Sequence, residues 1–279
     1  MNRVQASIAI ALAALSAGSV RAATPAPGER YQIVREIERK AETGAFGSSS
    51  SFDRDTIDVR VVTLRDDGVE LEYTEPEQDQ APRGWQFPAR VFHPAHGAAQ
   101  LINQAEIAAR IDPWLASAGW NRAQCGKWIF TWNAFKIECD PASALGIVNQ
   151  FDIQPADLAD GAAYGHPGAA DMGRLKRSPG ADGGATYQVT LPIDRDAVRR
   201  QAAQSDVVVG QITGNPVSEK AALAARAKMQ VSGTIAVTFK ADASGTVQQR
   251  TVVVTMQMIE ANGRRETSTS TEVMVRRPL

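Results

Sequence analysis

The stretch Cys125-Gly-Lys-Trp-Ile-Phe-Thr-Trp-Asn-Ala-Phe-Lys-Ile-Glu-Cys139 holds both cysteines of a 279-residue chain and is its most aromatic segment. Two readings compete for it. Trp128, Trp132, Phe135 and Cys139 sit at i, i+4, i+7 and i+11, the spacing of one helical face. A helix rising about 1.5 Å per residue would hold the cysteines roughly 21 Å apart, whereas a disulfide needs Cα atoms within about 7 Å. A hairpin turning at Thr131-Trp132-Asn133 instead sets Cys125 opposite Cys139, Ile129 opposite Phe135 and Trp128 opposite Lys136. The continuous helix and the bridge exclude each other, so the compartment of the protein bears on the choice.

That compartment is written at the start of the chain. Arg3, an apolar run from Ala6 to Ala17 and the small-residue site Val20-Arg21-Ala22 before Ala23 have the pattern of a secretory signal peptide. An apolar core of about a dozen residues falls short of the roughly 20 needed to span a bilayer. No cysteine stands directly after the cleavage site to carry a lipid, so the expectation is a soluble periplasmic or secreted protein in which Cys125 and Cys139 are oxidised. An enclosed loop of about 15 residues then contributes about 3 kcal/mol in the chain-entropy account.

The flanks of the bridged stretch repeat one device. Upstream, Asn103 with Glu106 makes a capping-box start for a helix carrying Ile107 and Ile111. Asp112-Pro113 restarts or kinks it, Trp114, Leu115 and Ala118 continue its stripe, and Gly119 ends it. Downstream, Asp140 caps, Pro141 opens, and Leu145, Val148 and Phe151 form the buried side of a short helix. All five tryptophans lie between residues 85 and 132, and such a cluster nucleates a core without any ligand.

Further out the period changes to two. Tyr31, Ile33 and Ile37 suggest a strand, and Thr43 to Asp55, with its run of serines, reads as a loop. Ile57, Val59 and Val61, the turn Asp67-Gly68, and Val69, Leu71 and Tyr73 form a β-hairpin whose glutamates give it a wet outer face. Residues 152–185 are rich in Gly, Ala, Asp and Pro and read as a flexible loop. Beyond it come a strand through Tyr187, Val189 and Leu191, a helix begun by Asp194 or Asp196, a buried extended run at Val207 to Val209, and an alanine-rich helix capped by Ser218. A meander follows. Ile235, Val237 and Phe239 share one face, Val252, Val254, Met256 and Met258 another, and Asn262-Gly263 turns into a last strand from Thr267 to Val275.

The fold class expected is therefore α+β: a strongly curved, mainly antiparallel sheet, half-barrel or barrel-like, with a few covering helices and one disulfide-bridged hairpin. The organisation expected is a signal peptide at 1–22, an N-terminal unit at 23–151, the loop at 152–185 and a C-terminal unit at 186–279, the two units forming either one domain or two.

Composition narrows function mainly by exclusion. The formal charge is −1, and a leader with two arginines and no acid leaves the remainder at −3. Intermingled charges give no basic stripe for nucleic acid and no polybasic patch for membrane. His93-Pro-Ala-His96 would need further ligands to hold a metal, Pro94 disfavours a helix that would aim both rings together, and a solvated turn is the simpler reading. His166 lies between Gly165 and Pro167 in loop sequence. Gly180-Ala-Asp-Gly-Gly184 lacks the lysine and hydroxyl of a phosphate loop, and no Gly-x-Ser-x-Gly elbow is present. No catalytic, metal or cofactor residue is singled out.

What remains is a binding or interaction protein of the bacterial cell envelope. It would shelter an apolar small molecule or dock an envelope protein, with Met256 and Met258 as lining and Trp132, at the hairpin tip, as the partner-binding residue. This logic is similar to that of curved-sheet envelope carriers, at the level of fold and without a shared motif. The alternative is an exported hydrolase working through a carboxylate pair. Export is checked by intact-mass measurement of the protein recovered outside the cytoplasm: the chain should begin at Ala23, and a retained leader would refute cleavage.

Overall fold

A computed structural model describes residues 25–44, 47–76, 84–130, 134–155 and 157–279. The N-terminal strands are β1 (Arg30–Glu42), β2 (Ser48–Arg65), β3 (Gly68–Thr74), β4 (Ala89–Pro94) and β5 (Gln100–Leu101). Helix α1 (Gln104–Ser117), strands β6 (Trp128–Phe130) and β7 (Ala134–Lys136), and helix α2 (Ser143–Asn149) follow. The second half has β8 (Ala163–Tyr164), β9 (Gly173–Arg174), β10 (Lys176–Pro179), β11 (Ala185–Pro192), α3 (Arg195–Ile212), α4 (Glu219–Arg226), β12 (Gln230–Ala241), β13 (Val247–Ile259) and β14 (Arg265–Pro278).

Ten strands form one antiparallel sheet in the order β10-β11-β12-β13-β14-β1-β2-β3-β4-β5. The sheet is curved but not closed, so the chain is α+β as its periodicities imply. Alternation fixes which face is covered. Tyr31, Ile33, Ile57, Val59, Val61, Leu71, Tyr73 and Val91 are buried on one face of the N-terminal strands. Tyr187, Val189, Leu191, Ile235, Val237 and Phe239 are buried in β11 and β12, and Tyr187 pairs with Phe239 and Val189 with Val237. Helix α1 adds Ile107, Ile111 and Leu115, spaced one turn apart, and α2 adds Ala144 and Val148.

The bridged hairpin has the expected register, with Trp128 opposite Lys136 and Ile129 opposite Phe135. Cys125 and Cys139 are bonded, with Cα atoms 5.7 Å apart. Asp140 does not cap α2 as expected: its Oδ1 accepts from the Ala142 N–H at 3.0 Å within the turn that precedes the helix, whose N-cap is Ala142 and carries no side-chain cap.

Several local expectations give way to non-local contacts. Residues from Ser48 to Asp55 are strand rather than loop, because β1 presents a backbone edge through Glu42 and the serines hydrogen-bond along it. Val207 to Val209 lie inside α3, where an 18-residue helix overrides β-branched preference. Pro113 is accommodated within the continuous helix α1. Asn103 does not cap that helix with its side chain: its Oδ1 accepts from the Arg90 N–H at 2.9 Å and its Nδ2 donates to the Pro88 carbonyl at 3.1 Å, tying α1 to β4. Within residues 152–185, β8 pairs with β9, Leu175 is buried, and β10 lines the sheet edge. The lysine, arginine and proline of β10 are the residue types that discourage pairing with another chain.

Glu70 is the largest departure from the expected wet face. It is 2% exposed and is held by Arg90 from β4 and by Arg65 Nη2 at 3.0 Å. Arg90 Nε donates to its Oε1 at 2.8 Å, and this hydrogen bond, ahead of any other influence, raises the Arg90 pKa. Breaking a fully buried pair costs about 3–5 kcal/mol. Here the arginines are 36% and 48% exposed and can recover hydration, so Glu70→Ala should lose about 1–3 kcal/mol in urea unfolding. A change below about 0.5 kcal/mol would show that the pair is dispensable.

Candidate functional site

Helices α3 and α4 and the outer ends of β12–β14 enclose a cleft. Asp194 begins α3 by accepting from the N–H groups of Asp196 and Ala197, both at 2.9 Å, and Ser218 begins α4 by accepting from Ala221 at 3.2 Å. The two helices pack through small residues, burying Ala203 and Gly210 of α3 and Ala222 of α4. A Cβ at Gly210 would lie 2.7 Å from the Asn215 carbonyl oxygen and 3.0 Å from the Val217 nitrogen, so the return to α4 requires glycine there.

Arg226 locks this pair to the sheet. Its Nε and Nη2 each donate to Asp206 of α3 at 2.7 Å, and its Nη1 donates to Glu260 at 3.2 Å, just beyond the end of β13. The bidentate geometry is the strong form of such a pair. The Arg226 hydrogen bond holds the Asp206 carboxyl below the usual carboxylate range, and the Arg226 guanidinium is correspondingly raised.

Inside this clamp lies a cleft of about 260 Å³ floored by Met229, Met258 and Ala202 and rimmed by Asp206, Arg226 and Glu260. Arg264 and Glu266 extend the charged rim. Met258 thus lines an open space, whereas Met256 is not among the residues around it and packs against the core. Of the carboxylates that converge here, Asp206 and Glu260 serve Arg226. A hydrolytic acid needs a raised pKa, and Asp206 is shifted the other way.

The histidines are not all in solvated turns. His93 is at the end of β4, opposite Val69, and its Nε2 lies 2.9 Å from the Tyr73 hydroxyl. Burial lowers the His93 pKa and raises that of Tyr73 well above the phenolic range. Asp152 is exposed, yet nearby protein raises its pKa by desolvation, with His93 opposing it. His166 Nδ1 accepts from the Gly168 N–H at 3.1 Å, and burial followed by Arg250 lowers its pKa. His96 is exposed. No local sequence pattern foretold the Tyr73–His93 contact, because it joins side chains of two neighbouring strands that are not opposite one another in the ladder. Among the described residues, no group of three His, Cys, Asp or Glu side chains gathers as a metal site would.

The aromatic unit forms a row. Trp85, Trp114, Trp120 and Phe135 follow one another at centroid distances of 6.4, 5.8 and 6.2 Å, from Trp85 in the core to Phe135, which is 41% exposed. Trp132 lies outside the described residues.

No protein-family model and no curated protein sequence matches the chain. Among solved structures it is similar to lipovitellin, studied for its lipid–protein interactions, at 9% identity and a TM-score of 0.41 over 90% of this chain. It spans 25% of that chain, about a quarter of its length. A hot-dog-fold protein of unknown function from Alicyclobacillus acidocaldarius gives 13% identity and a TM-score of 0.12, covering 92% of this chain and 82% of that one. At these scores neither likeness bears on function.

The Asp206–Arg226 pair makes stability depend on acid in a definite direction. With the folded-state pKa of Asp206 depressed, its contribution is complete above the ordinary carboxylate value of about 4 and is lost as pH falls through the lowered value. Asp206→Asn should therefore be destabilising at pH 7 and should flatten the acid limb of urea stability measured from pH 5 downward. An acid limb parallel to that of the unaltered protein would show that another carboxylate governs it.

Proposed function

We propose that this chain is a non-catalytic binding protein of the bacterial cell envelope, exported by residues 1–22, which receives one apolar chain in the methionine-floored cleft. The observation carrying this reading is the floor of Met229, Met258 and Ala202 beside an arginine, Arg226, whose charge Asp206 and Glu260 already satisfy. An apolar guest would displace water from the floor without stripping partners from Arg226, and flexible thioethers adapt to irregular guests. At about 260 Å³ the space lies below the usual range of roughly 300–1,000 Å³ for ligand pockets. That size suits a single short alkyl chain or one apolar side chain rather than a lipid with several chains. The carboxylate-pair hydrolase is the weaker alternative, since Asp206 and Glu260 are committed to Arg226.

The test is titration of the mature protein with 1-decanol, followed through methionine methyl resonances. The Met229 and Met258 signals should shift saturably while that of Met172, 67% exposed and away from the cleft, stays in place. Met258→Lys should weaken binding at least ten-fold. Uniform shifts at all methionines, or affinity unchanged in Met258→Lys, would refute the reading.

A further inference from the structure

A second cleft, of about 380 Å³, lies beside the start of β12. Strand β11 reaches only to Pro192, opposite Thr234, so Gln230 to Ser232 are paired with β13 alone. The first turns of α3 run alongside and contribute Arg195 and Arg199, one turn apart on the same side of the helix. Facing them are Gln230 and Ser232 of β12 and Gln257 of β13, with Ser232 directly opposite Gln257 in the ladder, and Val231 and Ile259 add apolar wall.

The chemistry of this lining differs from that of the methionine cleft. Arg199 is held in place, its Nε donating to the Met229 carbonyl at 2.9 Å and its Nη1 to Asp196 at 2.7 Å, which leaves Nη2 to donate elsewhere. Arg195 forms no ion pair among the described residues. Among the described residues no acidic side chain lines the cleft itself, Asp196 meeting Arg199 outside that lining, whereas the methionine cleft carries Asp206, Glu260 and Glu266. Asp194 already occupies the N-terminal N–H groups of α3, so the receptor is the side chains and not the helix end. Two guanidinium forks opposed by two carboxamides and a hydroxyl supply donors in the arrangement that suits an oxyanion.

We propose that this cleft binds a phosphate-type oxyanion, carried on a small soluble phosphomonoester or on a lipid headgroup. It is a site separate from the apolar one.

Calorimetric titration of the mature protein with inorganic phosphate, at ionic strength held constant with chloride, should give saturable binding. The double substitution Arg195→Gln and Arg199→Gln should lose at least ten-fold in affinity. Arg195→Gln alone, which disturbs no ion pair, should lose part of it with an unchanged melting temperature, so a folding defect cannot mimic the result. Met258→Lys should bind phosphate as the unaltered protein does, which separates failure of this site from failure of the apolar one. Absence of saturation, or equal affinity in the arginine variants, would overturn the proposal. Co-sedimentation with phosphatidylglycerol vesicles, abolished by phosphate and by the arginine substitutions, would assign the headgroup source. Phosphate binding without sedimentation would assign the soluble one.

Discussion

The ladder between β1 and β14 is the constraint on which the remaining architecture depends. It runs from Tyr31 opposite Pro278 to Glu42 opposite Thr267, while the other edge of β1 carries β2. The first strand of the fold therefore sits in the middle of the sheet, joining β2–β5 to β10–β14. Side chains reinforce the seam. Arg35 Nε donates to Glu272 at 2.8 Å, Arg276 reaches Glu29 at 2.8 Å, and the Arg276 guanidinium lies 3.6 Å from the centre of the Tyr31 ring. Closing a pairing of such long sequence separation costs entropy that grows only logarithmically with loop length, but it places this chain among slowly folding topologies.

Around that seam, buried polar groups act as attachments. Glu70 draws Arg65 and Arg90 over what alternation alone would make a wet face, and Asn103 joins α1 to the backbone of β4. Each is satisfied by partners from other elements, which is the condition for burying such groups. The disulfide does comparable work by covalent means, holding the short ladder of β6 and β7 from its open end, since a two-stranded hairpin of this length is marginal alone.

The clefts lie where the layers stop matching. Strand β11 ends before β12 does, and the chain leaves the sheet to form α3 and α4, which the Arg226 clamp fastens to the end of β13. One cleft receives the methionines and the Asp206–Arg226–Glu260 ion pairs, the other two arginines, of which Arg199 is paired with Asp196 and Arg195 forms no ion pair among the described residues. That difference in lining follows from strand alternation, which sends Met258 to one face of β13 and Gln257 to the other.

The sequence by itself determined what local chemistry can specify. Period-two alternation marked the strands through Ile57, Val237 and Val252. Asp194 and Ser218 marked helix starts, and the spacing of two cysteines, given an oxidising compartment, set a hairpin register. Only the tertiary structure decided that Ser48 to Asp55 would be strand, that Val207 to Val209 would be helix, that Glu70 would be buried and that Asn103 would leave its capping role. In each of these the deciding partner is remote in sequence: a free strand edge, a packed helix, an arginine on the next strand. The methionines and arginines were visible as residues. Their gathering around two open spaces depends on where β11 ends against β12, and that is a property of strand pairing which no local pattern encodes.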